Sequence, residues 1–186
     1  VPVLQAVVDL LHGRLPSAID VVLDVPSERC TVLGDASQLQ QAITNLVLNA
    51  SDAYAGASGS VRLGLRVVEV DAEVGRTLAP DAPLAPGRYV EVHVADDGPG
   101  IDEAQMDHIF EPFFTTRPTG RGLGLAVVHG VVRSHGGAVR AVCRTRVGAD
   151  VATGTDMIVL LPTTDRAIET TSSAVATRHD WPQAPV

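Results

Sequence analysis

DASQLQQAITNLVLNASDAYAGASGSVRLGLRVVEVD, residues 35–71, sets a long helix directly before a long strand. Asp35 is a good N-cap, because its short carboxylate can accept the first free N–H groups of a helix. Leu39, Ile43, Leu46, Val47 and Ala50 then recur at helical spacing, so the helix runs through Tyr54 with one apolar face. The Gly-Ser stretch at 56–60 ends it. From residue 59 the pattern changes period: Val61, Leu63 and Leu65 alternate with Arg62 and Arg66, which predicts a strand over 59–71 with one face in the core. A helix with one apolar stripe beside a strand with one apolar face calls for a layered α/β arrangement.

The flanking sequence extends this pattern. VLQAVVDLLHGR (3–14) has helical spacing of Leu4, Val7, Val8 and Leu11. IDVVLDV (19–25) alternates as a strand, and CTVLGD (30–35) reads as a short second one. Residues 72–87 hold three prolines and read as a hairpin excursion; RYVEVHVADD (88–97) is the next strand. Residues 98–121 are rich in Gly, Pro and Thr, which predicts a mobile segment. A helix is expected over 122–135, ended by His135-Gly136-Gly137, followed by a strand pair at 137–146 and 155–162. From 164 to 186 the composition turns to Thr, Ser, Ala and Pro, as in a flexible tail or linker. Sequential strand pairs between helices favour a two-layer sandwich, a mixed β-sheet packed on about three helices on one face.

Composition removes several function classes. All 14 Lys+Arg residues are arginine. A chain with no lysine is not a P-loop nucleotidase, not a protein kinase of the V-A-I-K type, and does no Schiff-base chemistry. The net charge of −8 and 3% aromatic content argue against nucleic acid. No apolar run reaches membrane-spanning length, and no signal peptide is evident, so a cytoplasmic domain without direct membrane contact is expected. Cys30 and Cys143 match no metal spacing and read as reduced core thiols. The first residue is not Met, which fits a piece of a longer chain.

Three constellations carry candidate chemistry. On the 36–54 helix, Gln41, Asn45, Asn49 and Asp52 follow one another at spacings of four, four and three, which puts them on one face. Their carbonyl oxygens suit a hard cation such as Mg²⁺, which takes few protein ligands and leaves the rest to phosphate and water; a plain polar outer face is the other reading. At the end of the 88–97 strand stands Asp96-Asp97-Gly98-Pro99-Gly100-Ile101. A carboxylate there can accept from an exocyclic amino group, and glycines let a flat ring approach the backbone; a simple tight turn is the alternative. Thr119-Gly120-Arg121-Gly122-Leu123-Gly124-Leu125 opens a helix, where free N–H groups attract anions. Arg117 and Arg121 bring the charge that lysine otherwise would. Between the last two lies FEPFFTT (110–116), with all three phenylalanines of the chain, read as a hydrophobic plug that anchors or hinges a loop.

Taken in order, these motifs resemble the catalytic and ATP-binding domain of bacterial sensor histidine kinases, in the GHKL ATPase superfamily. QLQQAITNLVLNASDA is similar to the N box, DDGPGI to the G1 box, FEPFFTT to the F box, GRGLGL to the G2 box, and GTDMIVLLP to the closing Gly-Thr strand. The likeness covers about residues 1–163 and is nearest to the nitrogen-regulator-like and hybrid kinases. It implies the GHKL fold and an ATP and Mg²⁺ site. In it Asn49 ligates the metal and Asn45 supports it one turn earlier. Asp96 binds the adenine amino group in a pocket shaped by Gly98, Gly100 and Ile101, and Thr155 joins that network. Residues 111–121 would form a lid carrying Arg117, Gly120 and Arg121. The amides of Gly122, Leu123 and Gly124, backed by Leu125, would hold phosphates.

The same resemblance implies γ-phosphoryl transfer to a histidine on a separate dimerisation hairpin, then onward to a receiver domain, within a homodimeric parent. Residues 1–14 would be the end of the connection from that hairpin, and the 164–186 linker is of a kind that leads into a receiver domain. None of the six histidines sits in the family's acceptor context, so no catalytic residue is assigned within this chain. Hydrolytic relatives of the gyrase and MutL types carry Glu at the place of Asn45; an amide cannot take a proton from water, which suits a kinase. Many family members have Lys or Arg where this chain has Asp52. The alternative is a nucleotide-sensing or docking module of the same fold without catalysis.

Overall fold

Five strands form one mixed sheet in the order β1-β2-β3-β5-β4. The computed structural model describes residues 2–25, 30–79, 82–117, 120–144 and 153–164. Strand β1 (Ile19–Asp24) runs parallel to β2 (Gly59–Val70), as a crossover through a helix requires. Strand β2 pairs antiparallel with β3 (Gly87–Asp96), β3 with β5 (Gly154–Pro162), and β5 with β4 (Ala138–Arg144).

Helices α1 (Pro2–Leu11), α2 (Ala36–Asp52) and α5 (Gly124–Ser134) cover one face of this sheet. The apolar stripe of α2 enters the core: Leu46 and Val47 are fully buried between Val7 of α1, Val128 and Val132 of α5, and Val61, Leu63 and Val94 of the sheet. Burying a side chain of this size stabilises the fold by about 1.5–3 kcal/mol, so this stripe dominates the attachment of α2. Asp35 caps α2 as expected, its carboxylate accepting from the N–H groups of Ser37 and Gln38. The backbone N–H of Asp35 donates to Nε2 of His135 at 3.0 Å, which ties the start of α2 to the end of α5.

The two-layer mixed sandwich matches the sequence expectation, and three local readings are corrected. Residues 30–35 are not a strand: Val32 alone bridges to Thr163, because the chain must then turn to present Asp35 as a cap. Residues 72–87 are not a hairpin, since Asp71 caps a short helix, α3 (Ala72–Leu78), by accepting from Glu73 and Val74. Nor are all helices on one face. Leu78 and Leu84 pack with Val70, Tyr89, Ala138 and Leu160 on the opposite face of the sheet, at the end far from Asp96. A small helix, α4 (Glu103–Met106), lies within the segment read as mobile. The tail over 165–186 lies outside the described residues.

The register delivers the candidate site. Val61, Asp96, Thr155 and Cys143 stand in one row across β2, β3, β5 and β4. That row is the edge of the sheet over which α2 ends and α5 begins.

Candidate nucleotide site

On α2, Asn45 and Asn49 are half-buried and Gln41 and Asp52 are exposed. The carboxamide of Asn45 donates from Nδ2 to the carbonyl of Gly124 at 3.4 Å, so this face of α2 meets the first turn of α5. A side chain at Gly124 would come within 3.7 Å of Nδ2 of Asn49 and 3.9 Å of its Oδ1. The Asn49 carboxamide accepts no hydrogen bond among the described residues. Helix α5 has Leu123 at its N-cap and no side chain capping it, which leaves its first N–H groups without side-chain partners. The Asn49 amide thus lies beside the uncapped start of α5.

The second half of the site is built on Asp96, which is buried at 4% exposure. Its Oδ1 accepts from the backbone N–H of Gly98 at 2.9 Å and of Thr155 at 3.3 Å. Its Oδ2 accepts no hydrogen bond among the described residues, so that oxygen keeps its acceptor capacity. Burial pushes the Asp96 carboxyl above the usual carboxylate range, against the opposing pull of those two N–H bonds. Gly98 is required here, since a Cβ would lie 2.8 Å from Oδ1 of Asp96 and 3.0 Å from Cβ of Ala53 at the end of α2. Gly100 has φ +84°, a left-handed conformation that other residues adopt only under strain.

Four side chains outside the motifs hold this turn. The hydroxyl of Tyr54 accepts from the N–H of Asp97 at 2.9 Å. Arg62 binds the Asp97 carboxylate through both terminal nitrogens, at 3.0 and 2.8 Å, and keeps it well ionised, below the usual range. Arg144 donates to the carbonyl of Asp96 and lies 3.1 Å from Asp97. It also approaches Asp156 at 3.6 Å, an ion pair too long for a hydrogen bond. The thiol of Cys143 brackets the backbone of Ile101, accepting from its N–H at 3.2 Å and donating to its carbonyl at 3.4 Å. Cys143 and Cys30 are both unpaired and half-buried, so Cys143 has a local role beyond that of a core thiol. Neither Tyr54 nor these arginines carry a motif signal; only the strand register, which sets Arg62 opposite Ala95, brings Arg62 close to Asp97.

The segment leading into α5 is knotted around Gly122. Phe113 donates its N–H to the carbonyl of Gly122 at 2.8 Å, and both residues are left-handed, at φ +71° and +64°. Phe110 packs on the core and stacks near His129, and Phe114 lies near His108. Phe113 is 75% exposed, with a left-handed backbone, so the expected three-phenylalanine plug does not form: only Phe110 packs on the core, while Phe114 is half-buried beside His108. Gly120 donates to the carbonyl of Arg117 at 3.1 Å. Arg117 reaches α2, while Arg121 is exposed and pairs with no acid among the described residues. Leu123 is exposed and Leu125 is half-buried against the core. Residues 118 and 119 of the expected lid lie outside the described residues.

No group of three His, Cys, Asp or Glu side chains among the described residues is arranged to hold a metal. A single amide oxygen beside an uncapped helix start nevertheless fits Mg²⁺, which takes few protein ligands and leaves most of its shell to phosphate and water. No helix among the described residues is long and apolar enough to cross a membrane.

Residues 34–165 match the family model described as histidine kinase-, DNA gyrase B-, and HSP90-like ATPase. The chain is similar to the two-component sensor PprA of Pseudomonas aeruginosa, 41% identical over 132 residues, covering 70% of this chain and 13% of that protein. It is 40% identical over 123 residues to the sensory histidine kinase/phosphatase NtrB of Rhodobacter capsulatus, covering 63% of this chain and 31% of NtrB. The chain therefore spans less than a third of either of these curated relatives. Among solved structures, the mycobacterial sensor histidine kinase MprB superposes with a TM-score of 0.64 at 31% identity, over 87% of this chain and 93% of that one. The catalytic domain of histidine kinase ThkA does so at 0.65 and 26%, over 87% and 90%.

Proposed function

Because the chain belongs to the histidine kinase-, DNA gyrase B-, and HSP90-like ATPase family, we propose that residues 1–163 bind Mg-ATP and donate its γ-phosphoryl group to a histidine on a separate helical hairpin. The observation that carries this reading is the meeting of α2 with α5, where the Asn45 carboxamide touches Gly124 and Asn49 faces the open helix start. One face supplies a hard-cation ligand and the other supplies anion-binding N–H groups, the pair of functions that a metal-bound triphosphate needs.

In this reading Asp96 accepts from the adenine amino group through Oδ2, with Thr155 fixing its other oxygen and Gly98, Gly100 and Ile101 forming the floor. Asn49 would ligate Mg²⁺, which neutralises phosphate charge when bound. Asn45 braces the metal side, and the N–H groups of Gly122, Leu123, Gly124 and Leu125 hold the phosphate oxygens. Arg117, Gly120 and Arg121 border the triphosphate. The chain's contribution to transfer is positioning and charge neutralisation. The amide of Asn45 cannot deprotonate a water, so hydrolysis is not promoted at that position.

The partners of this reaction are the hairpin that carries the acceptor histidine, joined through residues 1–14, and a receiver domain that takes the phosphoryl group onward. The parent would be a cytoplasmic or membrane-anchored homodimer with this domain in the cytoplasm. The test is to mix this chain with Mg-ATP and a separately produced hairpin of a nitrogen-regulator-like kinase, then assay acid-labile phosphohistidine on the hairpin. Phosphohistidine is the expected product. Tight ATP binding with no transfer to any hairpin would replace this reading with that of a nucleotide-sensing module.

A further inference from the structure

The side chain of Arg117 crosses from the segment before α5 to the last turn of α2. Its Nη1 lies 2.7 Å from Oδ2 of Asp52, and its Nη2 donates to the backbone carbonyl of Asn49 at 2.9 Å. Two features of α2 draw it there. The helix has no basic residue in its last turn, so the negative end of its dipole is uncompensated by its own side chains. Asp52 adds a full negative charge at that end. The guanidinium is planar and carries parallel donors, so it can meet a carboxylate and a carbonyl at once, which a lysine ammonium does less well. Behind it, the Arg117 backbone is tethered as well: its N–H donates to Oγ1 of Thr115 at 3.1 Å and its carbonyl accepts from Gly120.

We propose that Asp52 is a positioning residue for the nucleotide: it holds the Arg117 guanidinium beside Asn49 before the triphosphate arrives. The inference rests on the reading of this face as the Mg-ATP site. Asp52 itself repels phosphate, and its value lies in what it recruits. In a chain without lysine, the cationic side chain nearest Asn49 comes from a different segment and needs a counter-charge to stay there. The pair is partly solvent-exposed, so its effect is moderate and falls with added salt.

Two readouts test this on the full chain: calorimetric titration with Mg-ATP, and the rate of tryptic cleavage at Arg121–Gly122 without nucleotide. Asp52→Asn removes the charge and is expected to weaken Mg-ATP by about two- to fivefold and to speed cleavage. Asp52→Glu keeps the charge and is expected to retain both wild-type values. The exchange Asp52→Arg with Arg117→Asp restores the pair with its charges reversed, and is expected to bind Mg-ATP more tightly than Arg117→Asp alone. Wild-type affinity in Asp52→Asn overturns the positioning role, even if cleavage accelerates. An exchanged variant no better than Arg117→Asp also overturns it. If the wild type binds no Mg-ATP, the nucleotide reading itself fails, and with it this one; the cleavage rates then report only a structural clasp.

Discussion

Tyr54 and Asp97, 43 residues apart, are joined by one hydrogen bond: the phenolic oxygen accepts the Asp97 N–H at 2.9 Å. The same hydroxyl donates to the carbonyl of Ser60 at 2.6 Å and accepts from its N–H at 3.2 Å. One side chain just past α2 therefore fixes the start of β2 and the turn that follows Asp96. Tyr54→Phe strands these backbone groups, and is expected to cost about 1–2 kcal/mol of stability in urea unfolding. It should also weaken Mg-ATP, because the turn that carries Gly98 and Gly100 loses its anchor. Unchanged nucleotide affinity would show that the turn is held well enough by Arg62 and Arg144.

Asp96 is a case where function and stability oppose each other. Its carboxyl is raised above the ordinary value mainly by burial. For a raised acid, the stabilising contribution is complete below the unfolded value, about 3.9, and is lost as pH rises through the folded value. At neutral pH the buried charge is thus a cost to the fold. Asp96→Asn keeps an acceptor for Gly98 and Thr155, removes the charge, and should unfold at the same or a higher temperature. In the same variant an NH₂ group replaces the free oxygen, donor would face donor, and Mg-ATP affinity should fall by about tenfold or more. In the wild type, affinity should drop as pH falls into the raised titration range of Asp96. A destabilised variant that still binds ATP would refute both halves.

Two glycines near α5 should respond in opposite directions. A Cβ on Gly122 would lie 2.3 Å from the carbonyl carbon of Phe113 and 2.6 Å from the oxygens of Phe113 and Phe114, at φ +64°. Gly122→Ala should therefore cost at least about 1 kcal/mol and expose the Phe113 amide to hydrogen exchange. Gly130, inside α5, has nothing within 4 Å of its would-be Cβ. Gly130→Ala should stabilise the protein by about 0.5–1 kcal/mol in thermal unfolding. Equal effects at the two sites would show that the knot around Gly122 is absent in solution.

The layers of the fold were legible because they rest on periodicity. The stripe of Leu39, Ile43, Leu46 and Val47 and the alternation of Val61, Leu63 and Leu65 each state which face is buried, and the Asp35 cap states where α2 begins. Helix α3 was hidden because three prolines outweighed its Asp71 cap, and at 30–35 the strand propensity of Thr31, Val32 and Leu33 yields only a bridge to Thr163 and one backbone bond from Thr164, because the chain turns at once toward the Asp35 cap. At the site, the asparagines and Asp96 are local in sequence and stand out by type. The supports are not: Tyr54, Arg62, Cys143 and Arg144 meet Asp97, Ile101 and Asp96 only once the register of four strands is set. The exposure of Phe113 goes with a left-handed φ, which no residue type announces.

On the face of the sheet that carries α3, opposite to that of Asp96, Glu91 is buried at 1% exposure. Its Oε1 receives Arg66 through Nε at 2.7 Å and Nη2 at 2.6 Å, while its Oε2 has no hydrogen-bond partner among the described residues. Arg140, on β4, is half-buried nearby; burial lowers its pKa, and the charge of Glu91 works against that shift. Glu91 thus supports two arginines that the sheet has partly withdrawn from water. Glu91→Gln keeps the shape and removes the charge that Oε1 presents to Arg66, with an expected loss of about 1.5–3 kcal/mol. Glu91 lies five residues along β3 from Asp96 on the opposite face, so Mg-ATP affinity of the folded variant should match the wild type. Stability within about 0.5 kcal/mol of the wild type by urea unfolding would mean that the charge of Glu91 adds nothing net to the fold.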